Sequence, residues 1–295
     1  MNLGILLQYS FIVVALGTVL LAMSTGIIGT ISILKGQSLI GDVVGHASFP
    51  GIVLAFILIA QKNSLYLMSG AILAGVFAFL LIQFVVNNSK LEADTTMAVV
   101  LSSMFGFGMV LKSYIQGNAK FANASQAGLA NYIFGQAAYM LREDVIIIFT
   151  VSIISLLFFI LFFKEIKIHV FDPAYAETIG IKRSYVSVLI MVITMILIAA
   201  GLKAVGAILI SSMLITPGVI GMQWSRDYKK VLVIAGASGA VSAFIGTVIS
   251  TLIKGMSTGP SIILIMSFIA LFSVVFGTRG VIATSIRRRK LRNRK

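Results

Sequence analysis

The chain has 295 residues, 59% of them hydrophobic and 11% charged, with a mean hydropathy of +1.06 and a formal net charge of +14 at neutral pH. Its repeated apolar runs, each about 20 residues long, match the length that crosses a hydrocarbon layer of about 30 Å as a helix, and predict an all-α, polytopic helical membrane protein. Cysteine is absent, which excludes disulfides, thiolate metal sites and iron–sulfur ligation and leaves any metal to oxygen, nitrogen or thioether donors.

The first apolar stretch, Ile5 to Leu34, lacks a basic leader and a small-residue cleavage site and reads as a permanent span. Further spans are expected near 39–60, 66–88, 93–114, 144–163, 184–202, 229–250 and 258–278. Two shorter apolar pieces, 126–140 and 205–222, leave the expected count between eight and ten, with nine as the central value. No second domain or heptad run interrupts the pattern, so one transmembrane unit over 1–280 is expected, followed by a basic tail at 281–295.

Charge placement orients the chain. Eight of the 23 basic residues lie between Arg279 and Lys295, with no acidic residue among them, which leaves 15 basic against nine acidic elsewhere. A tail this basic after the last span follows the positive-inside rule and is drawn to anionic lipid. Nucleic-acid binding is excluded as its explanation, because no soluble module exists to present such a surface. With the tail inside, the loop 223–230 and the connector 164–183 also fall inside, 184–202 and 205–222 cross as a pair, and the loop near Arg142 is outside.

Pro50, Pro217 and Pro260 lie in or beside apolar spans, in the contexts HASFPG, SSMLITPG and STGPS. Each removes a backbone donor, and the glycines and hydroxyl residues around them fit broken or closely packed helices around a pathway.

The stretch GDVVGHASFPG concentrates the chemistry. Asp42 and His46 are four residues apart and share a helix face, a spacing that directs carboxylate oxygen and imidazole nitrogen toward one ion. An ionisable side chain at lipid depth usually faces a cavity or a partner. The competing reading is a capping aspartate with a hydrogen-bonded histidine. Two ligands do not complete a coordination shell, so a second subunit, other residues or water must supply the rest.

In the connector, Asp172 is an N-cap candidate, Pro173 opens a short helix and Gly180 closes it, giving a stiff piece from Pro173 to Ile179. His169, beside charged residues, reads as a solvated loop histidine. Glu143–Asp144 and Glu92–Asp94 read as helix-end acids, and the 13 methionines mostly as packing. No Ser-His-Asp set, HExxH or paired catalytic carboxylate is visible, so the chain is not expected to be an enzyme.

Taken in order, GDVVGHASFPGIVLAF, SQAGLANYIFGQAAYMLREDV, FDPAYAETIG, AVGAILISSMLITPG and STGPSIIL resemble the membrane permeases of the ABC-3 family, the integral subunits of bacterial manganese, zinc and iron importers. The similarity runs from about residue 10 to 280 and leans toward the manganese branch. It departs where Gly45 precedes His46, a position held by serine or alanine in several relatives, and where STGPS replaces the commoner STGPT.

The resemblance implies an ABC-importer permease fold in the bacterial cell membrane. It also implies a second permease protomer, identical or paralogous, a cytoplasmic ABC ATPase that binds the ATP, and an extracytoplasmic metal-binding lipoprotein that delivers the ion. The connector then becomes a coupling helix seated in an ATPase groove through Tyr175 and Ile179, with Glu177 at the rim and Asp172, Pro173 and Gly180 shaping it. No GxxxxGK[ST] phosphate loop occurs in the chain, consistent with a motor on a separate subunit. Read from the residues alone, an ion-coupled secondary metal transporter and a helical scaffold stay open beside it.

Overall fold

The computed structural model describes residues 9–60, 63–118, 121, 135, 140, 142–253 and 255–292. Twelve helices occur among them: α1 (Tyr9–Leu34), α2 (Ile40–Ile59), α3 (Ser64–Asn88), α4 (Ala93–Gln116), α5 (Arg142–Leu161), α6 (Phe163–Phe171), α7 (Pro173–Thr178), α8 (Arg183–Val205), α9 (Ala207–Trp224), α10 (Tyr228–Leu252), α11 (Thr258–Phe276) and α12 (Val281–Arg292). Eight of these, α1 to α5, α8, α10 and α11, are long and apolar enough to cross a membrane. They are the eight stretches that hydropathy marks. The shorter apolar helix is α9, and the ambiguous piece 126–140 lies outside the described residues except at Gly135 and Met140.

Contacts between helix ends set the crossing directions. Gly17 near the start of α1 packs on Val145 near the start of α5. Phe56 near the end of α2 meets Phe121 just beyond α4, with ring centroids 6.2 Å apart. The short turn over 35–39 makes α1 and α2 antiparallel, so the end of α2 lies where α1 begins. The chain therefore leaves α4 and enters α5 at the same end of the bundle. Tyr228, at the start of α10, stacks on Phe163 of α6 at 5.5 Å and meets Phe171 edge-on at 5.4 Å. Trp224, at the end of α9, donates its indole N–H to Ser273 Oγ near the end of α11 at 3.0 Å. The ends of α1, α3, α5, α9 and α11 thus gather with α6, α7 and the tail helix α12, and α1 begins at the opposite end. The pair expected at 184–202 and 205–222 is α8 and α9, reversed at Gly206, whose φ of 89° is open to glycine.

Helices associate in lipid through close packing and satisfied polar groups. A β-carbon on Gly51 of α2 would strike the Gly70 carbonyl of α3, and one on Gly70 would strike the Gly51 carbonyl. The two backbones touch. Thr18 Oγ1 donates to the Val14 carbonyl at 2.9 Å and lies 3.1 Å from Thr247 Oγ1, a buried hydroxyl pair joining α1 to α10. Leu21, Val43, Phe49, Ile52, Phe56, Met213 and Leu214 fill the centre, where α2 lies against α3, α4 and α9.

The prolines do not break their helices. Pro50 and Pro217 sit inside continuous α2 and α9, and Pro260 occupies the first turn of α11, where a missing N–H costs little. Close packing holds these helices together: the Gly26 position of α1 leaves no room for a methyl beside Pro217, which would approach at 2.9 Å.

Candidate functional site

Helix α2 divides its circumference, at about 100° per residue, among three neighbours. Val44 and Ser48 lie against Gly75 of α3, at 3.4 and 3.6 Å from where its β-carbon would stand. Gly41 and Gly45 form the face toward α9, where a β-carbon on Gly45 would come within 2.9 Å of the Ala207 carbonyl oxygen. Asp42, His46 and Phe49 share the remaining face. The His46 imidazole stands edge-on to Phe105 of α4 at 4.9 Å, and Phe49 meets the same ring at 6.2 Å. Both Asp42 and His46 are half-buried.

Neither residue takes the bland role that competes with ligation. Asp42 does not cap α2, whose N-cap is Leu39 with no side-chain cap bond. His46 Nδ1 is buried without a hydrogen-bond partner, so one ring nitrogen has no structural use. Pro50, one turn on, has no N–H to give to the His46 carbonyl. One turn of α2 thus presents a carboxylate, an imidazole nitrogen and a backbone carbonyl relieved of its helical partner. These are the hard and borderline donors suited to first-row divalent cations. Among the described residues no group of three His, Asp or Glu side chains gathers. A full coordination shell needs donors beyond these side chains.

The connector folds as its sequence dictates, with one addition. Residues Phe163–Phe171 are already helical as α6, and the chain breaks only at Asp172. Asp172 Oδ1 accepts the Tyr175 N–H at 2.9 Å, Pro173 opens α7, and Gly180, at φ 86°, closes it while the Ile181 N–H returns to the Ala176 carbonyl at 2.9 Å. Ala176 is buried beneath the turn, whereas Tyr175 and Ile179 are 54% and 46% exposed. Glu177 is exposed on a different side of this turn.

His169 corrects the sequence reading. It is 4% exposed rather than solvated, with Nε2 3.1 Å from Ser187 Oγ of α8 and Nδ1 unpartnered. The hydrophobic surroundings of α6 draw it inward: Ile166 is fully buried with Ile31, Val186 and Tyr228. Burial holds the imidazole below its ordinary pKa, and the nearby Lys35 and Arg183 charges push the same way. His169 lines a cleft of about 1300 Å³ at the tail end, between α1, α3, α4 and the α6–α8 segment, together with Lys35, Gln37, Gln83, Glu177, Lys182 and Arg183. Sequence reasoning missed this cleft because its residues come from α1, α2, α3, α4, α6, α7 and α8 and the turns beside them, none patterned as a motif.

The model of the ABC 3 transport family matches residues 8–277. The chain is 39% identical over 279 residues to the manganese transport system membrane protein MntC of Bacillus subtilis, covering 94% of this chain and 63% of that relative. It is 35% identical over 285 residues to the zinc transport system membrane protein TroC of Treponema pallidum, covering 96% of this chain and 95% of the relative. The chain therefore spans less than two thirds of the first relative and nearly all of the second. Among solved structures it superposes on a chain of PsaBC from Streptococcus pneumoniae, determined in complex with Fab, with a TM-score of 0.82, 27% identity and coverage of 95% and 97%. A helical bundle of alternating spans and a match along almost its whole length agree on one assignment: the chain belongs to the ABC 3 transport family and has the fold of an ABC-transporter permease.

Proposed function

We propose that this chain is the membrane-spanning subunit of an ATP-driven importer of a divalent transition metal ion, most readily manganese, with Asp42 and His46 as its ligands on the path. The observation that carries this reading is the Asp42–His46 face of α2, with its unpartnered imidazole nitrogen. Zinc and ferrous iron fit the same donors. Intrinsic affinity is lowest for manganese in the divalent series, so selectivity belongs to geometry and to the protein that delivers the ion. Residues 1–280 form the permease unit and 281–295 a basic tail on the cytoplasmic side. The plasma membrane of a bacterium is its place.

The remaining ligands come from a second protomer, identical or paralogous, or from water. Helix α7 is the contact for a separate cytoplasmic ATPase, with Asp172, Pro173 and Gly180 fixing its shape and Tyr175, Glu177 and Ile179 meeting the partner. A lipoprotein receptor delivers the metal at the opposite face.

The test is metal uptake into vesicles carrying the assembled transporter. Asp42→Asn and His46→Ala are each expected to abolish ATP-driven uptake while expression and ATPase binding survive. Normal transport by either variant removes that residue from the ligand set. Full uptake without the ATPase would instead identify an ion-coupled secondary transporter.

A further inference from the structure

We propose that the cleft at the tail end binds the phosphodiester headgroup of an anionic phospholipid, held by Lys35, Lys182, Arg183 and the backbone N–H groups opening α8, with an acyl chain against Phe79, Leu80 and Val188. This site is separate from the metal pair: Ile40 lines the cleft, and Asp42, two residues on, points about 200° away around α2.

Four observations converge. Helix α8 runs for 23 residues from Arg183, and its N-cap Lys182 makes no side-chain cap bond; the Tyr185 N–H is taken by the Lys182 carbonyl at 3.1 Å, and the Arg183 and Ser184 N–H groups and the positive dipole end remain available to an anion. Basic residues occupy this end, where acidic ones would be stabilising, and an anion between them removes that conflict. Three cationic side chains line the cleft against the single carboxylate of Glu177. The Lys35 backbone N–H donates to the Ile31 carbonyl at 3.0 Å, but among the described residues its ammonium has no hydrogen-bond or ion-pair partner, although Lys35 is half-buried. Finally, His169 is 4% exposed and lines the cleft with its Nδ1 unpartnered.

The crowding of like charge has a measurable sign. Burial lowers the Lys35 pKa, and Arg183 lowers it further, so the protonated ammonium is disfavoured until an anion joins it. For the same reason the cleft is a poor route for a metal cation.

The apolar wall selects a lipid over a soluble anion. Leu80 and Val188 are 56% and 48% exposed beside the basic cluster, which pairs a headgroup pocket with an acyl surface between membrane helices. Basic pockets between spans on the cytoplasmic side suit such headgroups. Arg279 and Arg287 stand at the same end of the bundle, so this end faces the leaflet in which anionic lipid is attracted. Glu177 and Pro173 of α7 border the cleft, placing the lipid against the segment assigned to the ATPase.

The experiment is native mass spectrometry of the full chain titrated with phosphatidylglycerol or phosphatidylcholine. One phosphatidylglycerol is expected to be retained in preference to phosphatidylcholine, and Lys35→Gln with Arg183→Gln is expected to weaken it about thirtyfold. Lys35→Arg should keep binding, as should Arg279→Gln with Arg287→Gln at the tail. Millimolar inorganic phosphate should not displace the lipid. Unchanged affinity in the cleft variant, an equal loss in the tail variant, or displacement by phosphate would each overturn the proposal. Should the double variant fail to fold, Val188→Asp decides, because a carboxylate on the acyl wall must expel the lipid and unchanged binding sinks the site.

Discussion

The imidazole of His46 stands edge-on to the ring of Phe105, their centroids 4.9 Å apart, and this contact ties the one histidine of the central α2 to α4. An edge-to-face pair of this kind is worth about 1 kcal/mol, enough to fix the ring orientation without using a nitrogen. Phe105→Ala is therefore expected to raise the metal concentration needed for half-maximal uptake about fivefold while leaving expression intact, and Phe105→Tyr to have a smaller effect. Uptake titrations on reconstituted transporter check this. An unchanged half-saturation in Phe105→Ala would show that the ring does not position His46 for uptake.

The backbone contact between Gly51 and Gly70 has a stability consequence. A methyl at either position must push the α2 and α3 backbones apart, an overpacking cost of about 1–3 kcal/mol. Gly51→Ala and Gly70→Ala should each lower the melting temperature in detergent by several degrees. Gly106→Ala on α4, where nothing lies within 4 Å of a new methyl, should be close to neutral.

His169 predicts a pH dependence with a definite sign. Its folded pKa lies below the unfolded value of about 6.5, so the folded state favours the neutral ring. The stabilisation it gives is fully present above the unfolded pKa and is lost as pH falls through the folded pKa. Melting curves of the whole chain should show a decline below about pH 6.5 that His169→Gln reduces. An identical decline in that variant would assign the acid sensitivity to other groups.

The exposed face of α7 tests the proposed ATPase contact. Tyr175→Asp with Ile179→Asp is expected to release the ATPase from the purified complex and halt ATP-driven uptake, leaving metal binding intact. Asp172→Ala, which removes the cap on Tyr175 N–H, should weaken the same association more mildly, the cap being worth about 1 kcal/mol. Pull-down of the ATPase with each variant measures both. A fully coupled complex in the double variant would direct attention to the loop at 223–230.

Local physics made much of this chain legible in one dimension. Spans follow from runs of apolar residues because lipid imposes a length and permits little else, and all eight marked stretches appear as helices long enough to cross. Helix α7 was equally readable, since Asp172, Pro173 and Gly180 act on their own backbone through contacts within eight residues. The spacing of Asp42 and His46 on one face needed only the helical period. Three features needed the tertiary fold. Whether the chain re-emerges from α4 on its original side is decided by Phe56 meeting Phe121 and Gly17 meeting Val145, contacts between segments far apart in sequence. His169 looked solvated beside its charged neighbours, but the helical continuation of α6 turned it onto Ser187. The basic cleft gathers Lys35 from the turn after α1, Gln83 from α3 and Arg183 from the start of α8. Sequence records which side chains a helix face carries, but packing between faces decides which of them lose water and which charges share a cavity.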